Sequence, residues 1–107
     1  MVEIDRPAGC IHPQIENMVY PLHYGLVPGT RAEDGTAIEI YVVDPVGVIN
    51  PATVFEATVV AIVHRKEGGG DKLVVSSTGL VPSLQEITSA VEFQEQWFKH
   101  DIEVLRA

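Results

Sequence analysis

Positive charge is scarce in this chain. Seven Lys and Arg stand against fifteen Asp and Glu, a formal net charge of −8 over 107 residues. A nucleic-acid binder carries a basic stripe that displaces phosphate counterions, and none is present, so nucleic acid is excluded as a partner. The same acidity repels small phosphate ligands unless a cation or a focused cluster of Arg and Lys intervenes. Cysteine is almost missing: Cys10 alone admits no internal disulfide, which suits a reducing cytoplasm. His12 lies close to Cys10 in sequence, yet an ordinary thiol is the plainer expectation than a nucleophile. No apolar run approaches the ~18 residues that cross a bilayer. The opening Met1-Val2-Glu3-Ile4-Asp5-Arg6 has neither the basic start nor the apolar centre of a signal peptide. A cytoplasmic protein with no membrane partner is expected.

Recognisable catalytic motifs are also few. The four His show no zinc spacing. Gly68-Gly69-Gly70 is followed by Asp71-Lys72 rather than Lys-Ser or Lys-Thr, so it is no P-loop and reads as a hairpin tip. No Ser, His and Asp arrangement stands out.

What the chain does have is apolar content, 46% of residues, enough to fold but over a length that allows one domain, residues 1–107, with a modest core. Val2 to Asp5 alternates as a short strand. Pro7 to Asn17 reads as loop, with Pro7, Gly9 and Pro13 as breaks. Pro21 confines the stretch Val19 to Val27 to an edge, a bend or a strand start. Ile38 to Val43 alternates as a strand, and Val54 to His64, rich in β-branched residues, predicts a long central one. Lys72 to Ser76 returns as its hairpin partner across the glycine loop. Then the period changes. Ser83 and Glu86 form a capping box, and Leu84, Ile87, Val91, Phe98 and Ile102 follow at helical spacing, which predicts a helix over about 84–100. Five or so strands and one late helix suggest a small mixed barrel with the helix packed on it.

Two sets of side chains offer chemistry. Asp34 sits at a turn and Glu39 on the strand after it, so a twisted strand can aim both into one barrel mouth. Asp71 and Glu67 are further carboxylates in the glycine loop. Hard cations such as magnesium take several oxygen ligands of this kind; solvated loop charges are the plainer alternative. Arg6, His12, His23, Tyr24, Lys72 and Lys99 form the second set, since Arg forks, Lys point charges and a phenol hydroxyl suit phosphate oxygens. Surface and core roles explain them equally well, and spacing alone does not bring them together.

Tyr20-Pro21-Leu22-His23-Tyr24-Gly25, followed by Asp34-Gly35-Thr36-Ala37-Ile38-Glu39, resembles the soluble inorganic pyrophosphatases of the magnesium-dependent, small-barrel type. In that family a Tyr-Pro-x-x-Tyr-Gly stretch leads to Asp-Gly-Asp-x-x-Asp on a strand. The long strand, Asp71-Lys72 and the late Phe98-Lys99 follow in the family's order, so the resemblance covers most of the chain. It looks closest to a short branch that shares Asp5-Arg6-Pro7, His12-Pro13, His64-Arg65 and Phe93-Gln94-Glu95-Gln96. The resemblance implies a mainly β (α+β) fold, a small antiparallel OB-like barrel with one C-terminal helix. It implies magnesium-dependent hydrolysis of inorganic pyrophosphate, or of a related small phosphoanhydride; barrel edges and the Trp97-Phe98 pair suit a homo-oligomer. Asp34, Glu39 and Asp71 would hold magnesium. Asp34, Glu39 and Tyr24 would form the catalytic set, and Arg6, His12, Lys72 and Lys99 would bind the phosphates.

The departures bear on rate. Thr36 stands where the family has its middle Asp, and a hydroxyl supplies no full negative charge. Gln14 replaces an early Glu, and Phe98 a phosphate-facing Tyr. Loss of one electrostatic contact to a developing charge typically costs about 2.7–4 kcal/mol of barrier. Reduced activity is therefore expected, and a non-catalytic relative that binds a phosphorylated metabolite or metal is the alternative. A purely structural protein, using Trp97-Phe98 as an interface, is a third.

Overall fold

The computed structural model describes residues 1–11, 18–32, 35–44, 50–66 and 70–105. Asp34, His12, Gln14 and Glu67 lie outside the described residues. Seven strands and one helix follow in the order β1 (Val2–Arg6), β2 (Tyr24–Leu26), β3 (Glu39–Val42), β4 (Val54–Phe55), β5 (Thr58–Arg65), β6 (Lys72–Ser76), α1 (Leu84–Glu95) and β7 (His100–Val104).

The strands form one sheet in the order β4-β1-β2-β3-β6-β5-β7. That order dictates its shape. β4 and β5 are five places apart in the sheet, about 24 Å if it were flat, yet only Glu56 and Ala57 join them, a link that reaches about 11 Å at most. The sheet must therefore roll up, as a small barrel does. All pairs are antiparallel except β3 with β6, so the sheet is mixed.

Alternation along the strands sorts the apolar residues into two clusters. Ile4, Ile40, Val42 and Val75 face the side enclosed by the curl, joined by Phe55, Ala57 and Leu73. Tyr24, Tyr41, Val63 and Val74 face the other side, where Ile87 and Val91 of α1 cover them. Tyr20 and Phe93 complete that second cluster with tilted and edge-on ring contacts at 5.3–5.4 Å.

Three sequence expectations are corrected. The long strand over Val54 to His64 is two strands, broken at Glu56 and Ala57 where the chain crosses from β1 to β6. The helix stops at Glu95 rather than near residue 100, because the Phe98 N–H turns back onto the Glu95 carbonyl and the chain reverses. Ile102 therefore belongs to β7, which pairs antiparallel with β5. The helix is not the last element of the chain. The alternation of Asp101 and Glu103 with Ile102 and Val104 was the signal for that strand.

Candidate active site

The parallel register of β3 and β6 builds the centre of the site. Ile40 lies opposite Leu73 and Tyr41 opposite Val74, so Glu39 and Lys72 leave neighbouring strands side by side on the helix-covered face. The Lys72 ammonium, 3% exposed, donates to Glu39 Oε1 at 2.6 Å. The Tyr24 hydroxyl from β2 bonds the same carboxylate. Burial first, and then the Glu39 charge, push the Tyr24 phenol far up, so it stays protonated and serves as a donor. Tyr24, Glu39 and Lys72, widely spaced in sequence, thus converge.

A polar chain continues under α1. Arg6 Nη1 of β1 donates to the Tyr20 hydroxyl at 2.8 Å, with its guanidinium about 5.9 Å from the Tyr24 ring centroid. Gln94 Nε2 donates to the Tyr41 hydroxyl at 2.7 Å, and Tyr41 donates to Glu95 Oε2 at 2.5 Å. Burial and then the Glu95 charge raise the Tyr41 phenol as well. Glu95, fully buried, accepts both Arg65 Nε at 3.0 Å and Arg65 Nη2 at 2.7 Å. Phe98 lies 3.8 Å from that guanidinium, a stacked cation–π contact.

Sequence reasoning did not assign roles to Tyr41, Gln94 and Glu95. A signal for the last two existed. Ile87 and Val91 define the inward stripe of α1, and the positions three and four further on are Gln94 and Glu95. Polar residues on an apolar stripe require partners when buried.

Asp71 goes elsewhere. Directly preceding Lys72, it leaves the chain on the opposite side. It accepts the Arg65 backbone N–H at 3.2 Å and pairs with His64 Nδ1 at 3.1 Å. It lines a cleft of about 620 Å³ with Arg31, Ile38, Ile62, His64 and Leu73, a set that omits Glu39. Among the described residues, Glu39 and Asp71 therefore share no hydrogen-bond partner. Lys99 is exposed between α1 and β7, its carbonyl accepting the Lys66 N–H. Thr36 is exposed, with its hydroxyl 3.4 Å from the Ala37 carbonyl. Among the described residues no three His, Cys, Asp or Glu side chains gather as a metal site. No described helix is long and apolar enough to cross a membrane.

Comparison with known proteins gives a consistent answer. The family model described as inorganic pyrophosphatase matches residues 2–103. Inorganic pyrophosphatase 1 of Pseudomonas syringae pv. tomato is 37% identical over 78 residues, 69% of this chain and 44% of that protein. The inorganic pyrophosphatase of Corynebacterium glutamicum is 29% identical over 104 residues, 92% of this chain and 65% of that protein. The chain thus spans less than half the length of the first of these relatives. Among solved structures, an inorganic pyrophosphatase from Coxiella burnetii superposes with a TM-score of 0.68 at 20% identity, covering 96% of this chain and 81% of that one. The enzyme from Thermus thermophilus gives 0.61 at 18% identity, over 98% and 79%.

Proposed function

This chain belongs to the inorganic pyrophosphatase family, and from that premise we propose that it hydrolyses magnesium pyrophosphate, or a related small phosphoanhydride, at a reduced rate. The observation that carries this reading is the meeting of Tyr24, Glu39 and Lys72 from three different strands, at positions where the family resemblance expects two catalytic groups and a phosphate-binding one. Water attacks one phosphorus, the bridging P–O bond breaks, and the second phosphate leaves with the bridging oxygen. Two groups on this chain suit the negative charge of that step. The Lys72 ammonium offers a desolvated point charge. The Arg6 guanidinium, half-exposed at the edge of the aromatic cluster, offers a planar fork. Lys99 and His12 complete the proposed phosphate-binding set.

Magnesium would neutralise the substrate and lower the pKa of the attacking water. The described residues do not fit a resident ion, since Glu39 is held by Lys72 and Tyr24 while Asp71 is held by His64 and Arg65. With a net charge of −8, the chain also repels a bare pyrophosphate anion. We therefore take magnesium to arrive with the substrate. Asp34 remains the proposed carboxylate partner of Glu39.

We further take the chain to be cytoplasmic, as its single thiol suits, and to work as a homo-oligomer. The 65% exposure of Trp97 supports a contact between copies.

A non-catalytic relative is the second reading, favoured by the Arg65–Glu95 pair, which spends one of the buried cations on an internal carboxylate. Phosphate release from magnesium pyrophosphate, with Glu39→Ala as control, separates the two. Turnover that Glu39→Ala abolishes supports hydrolysis. Ligand-dependent stabilisation without turnover supports the second reading.

A further inference from the structure

β7 is an edge of the sheet, and among the described residues it pairs with β5 alone. Its register fixes what the other side of the strand offers. The Lys99 carbonyl accepts the Lys66 N–H, and the Leu105 N–H donates to the Val60 carbonyl, so residues 99 and 105 bond toward β5. Bonded and non-bonded pairs alternate along an antiparallel ladder. Asp101 and Glu103 therefore bond toward β5 as well, while the backbone N–H and C=O groups of His100, Ile102 and Val104 point outward. Such an open row is a template for one more strand. Ile102 and Val104 pack into the helix-side cluster, and alternation sends Asp101 and Glu103 to the other face. Both acidic side chains are more than half exposed. Their cations, Lys66 and His64, each at 2.8 Å, approach from the β5 side. An added strand would meet the same carboxylates from the opposite side.

A second copy of this strand is a poor occupant. Antiparallel pairing of two β7 strands centred on Ile102 sets Asp101 of each copy against Glu103 of the other. Moving the centre by one residue still sets Asp101 against Asp101, or Glu103 against Glu103. Like charges directly opposite destabilise a ladder, whereas opposite charges there support it. We propose that the free edge of β7 is a docking site for an extended basic peptide segment in which Lys or Arg alternate with apolar residues. The basic side chains of the segment flank Asp101 and Glu103. Its apolar side chains continue the row of Ile102 and Val104, and its backbone completes the ladder on His100, Ile102 and Val104. The net charge of −8 draws such a segment toward the chain. This edge lies two strands away from Lys72, and the proposal does not depend on hydrolysis.

The probe is a short capped peptide alternating lysine with valine, labelled with fluorescein, beside a control with glutamate in place of each lysine. In fluorescence anisotropy at low salt, the lysine peptide should bind saturably and at least about tenfold more tightly than the glutamate peptide. That preference should shrink as salt rises. The lysine peptide N-methylated on its edge-facing amides should not bind. Amide hydrogen exchange locates the contact: the lysine peptide should slow exchange most at His100, Ile102 and Val104. Asp101→Lys with Glu103→Lys should reverse the preference between the two peptides. Absence of binding by the lysine peptide, or equal binding of both peptides, overturns the proposal. So does protection centred on another part of the chain. Slowing of the same three amides as the protein alone is concentrated would show a second copy on the edge, and would overturn it too. Should the double variant fail to fold, the wild-type measurements still decide.

Discussion

Arg65 and Glu95 form a two-pronged ion pair between β5 and α1, with the guanidinium side chain 6% exposed and the carboxylate 0% exposed. Taking two charges out of water is costly, and the pair is supported by a third hydrogen bond to the carboxylate from the Tyr41 hydroxyl. Removing one member leaves the other buried and unpaired. Glu95→Ala is expected to lower stability by about 3–5 kcal/mol, read from urea unfolding. The double variant Arg65→Met with Glu95→Leu should lie closer to wild type than Glu95→Ala does, since it leaves no orphaned charge. A Glu95→Ala protein as stable as wild type would mean that the pair contributes nothing to folding.

Gly25 permits β1 and β2 to approach. A Cβ built on it would lie 2.0 Å from the Glu3 carbonyl oxygen and 2.9 Å from its carbon, both backbone atoms that cannot rotate away. The glycine is not needed for an unusual turn but for this closeness. Gly25→Ala should therefore push the strands apart. A loss at or above the upper end of the roughly 1–3 kcal/mol typical of overpacking is expected. Thermal melting measures it. A melting temperature within a degree of wild type would contradict the packing.

The same glycine shows how far the sequence could be read. Tyr20 to Gly25 identified the family from residue identities alone, but why a glycine follows Tyr24 depends on where Glu3 lies across the sheet. The hairpin of β5 and β6 was legible because β-branched runs flank a glycine loop. The helix start was legible because capping is a local event. Its end was not, since the spacing of Phe98 and Ile102 mimics a helical stripe while long-range pairing of β7 with β5 overrides it. The meeting of Glu39 with Lys72 depends on the β3–β6 register, and two residues 33 positions apart in the chain carry no local mark of which neighbours their strands choose. Asp71 was legible as an acidic loop residue, but not the side of the sheet to which it turns.

Ser83 tests the local part of that argument. Its hydroxyl accepts the Glu86 N–H at 3.2 Å, and the Glu86 carboxylate accepts the Ser83 N–H at the same distance. Both bonds satisfy N-terminal groups that the helix itself leaves open. Ser83→Ala removes the first and should cost about 0.5–2 kcal/mol, visible as a lower urea midpoint with an unchanged slope. Ser83→Asp should restore most of it, because aspartate caps equally well. An alanine variant with no change would show that the capping box adds nothing here.

Thr36 offers a gain-of-function test of the proposed hydrolysis. The resemblance gives the family an Asp where this chain has an exposed Thr, so the change fills no core space and is expected to alter stability by less than about 0.5 kcal/mol. Thr36→Asp adds a carboxylate beside the Asp34 and Glu39 segment. Phosphate release from magnesium pyrophosphate should rise, up to about 10²–10³-fold if a full electrostatic contact is regained. A rise in Thr36→Ala as well would show that the added charge is not the cause.

Asp44 sets an acid limit on the fold. Its carboxylate accepts the Ser77 N–H at 2.9 Å, the Ser77 hydroxyl at 2.8 Å and the Thr78 N–H at 3.1 Å, tying the end of β3 to the chain leaving β6. Burial acts to raise its pKa, but the hydrogen bonds from Ser77 and Thr78 outweigh it and hold the carboxyl below its ordinary value of 3.8. The sign follows from linkage. A depressed carboxylate adds stability that is complete above the unfolded-state value and is lost as pH falls through the lower folded-state value. Wild-type stability should therefore decline as pH drops below about 4, and part of that decline should vanish in Asp44→Asn. The amide can accept some of these hydrogen bonds but carries no charge to lose, so the variant should be less stable than wild type at neutral pH and should approach it in acid. Urea midpoints at pH 7 and pH 3 for both proteins measure the difference. Equal acid sensitivity in the two would show that other carboxylates carry the whole effect.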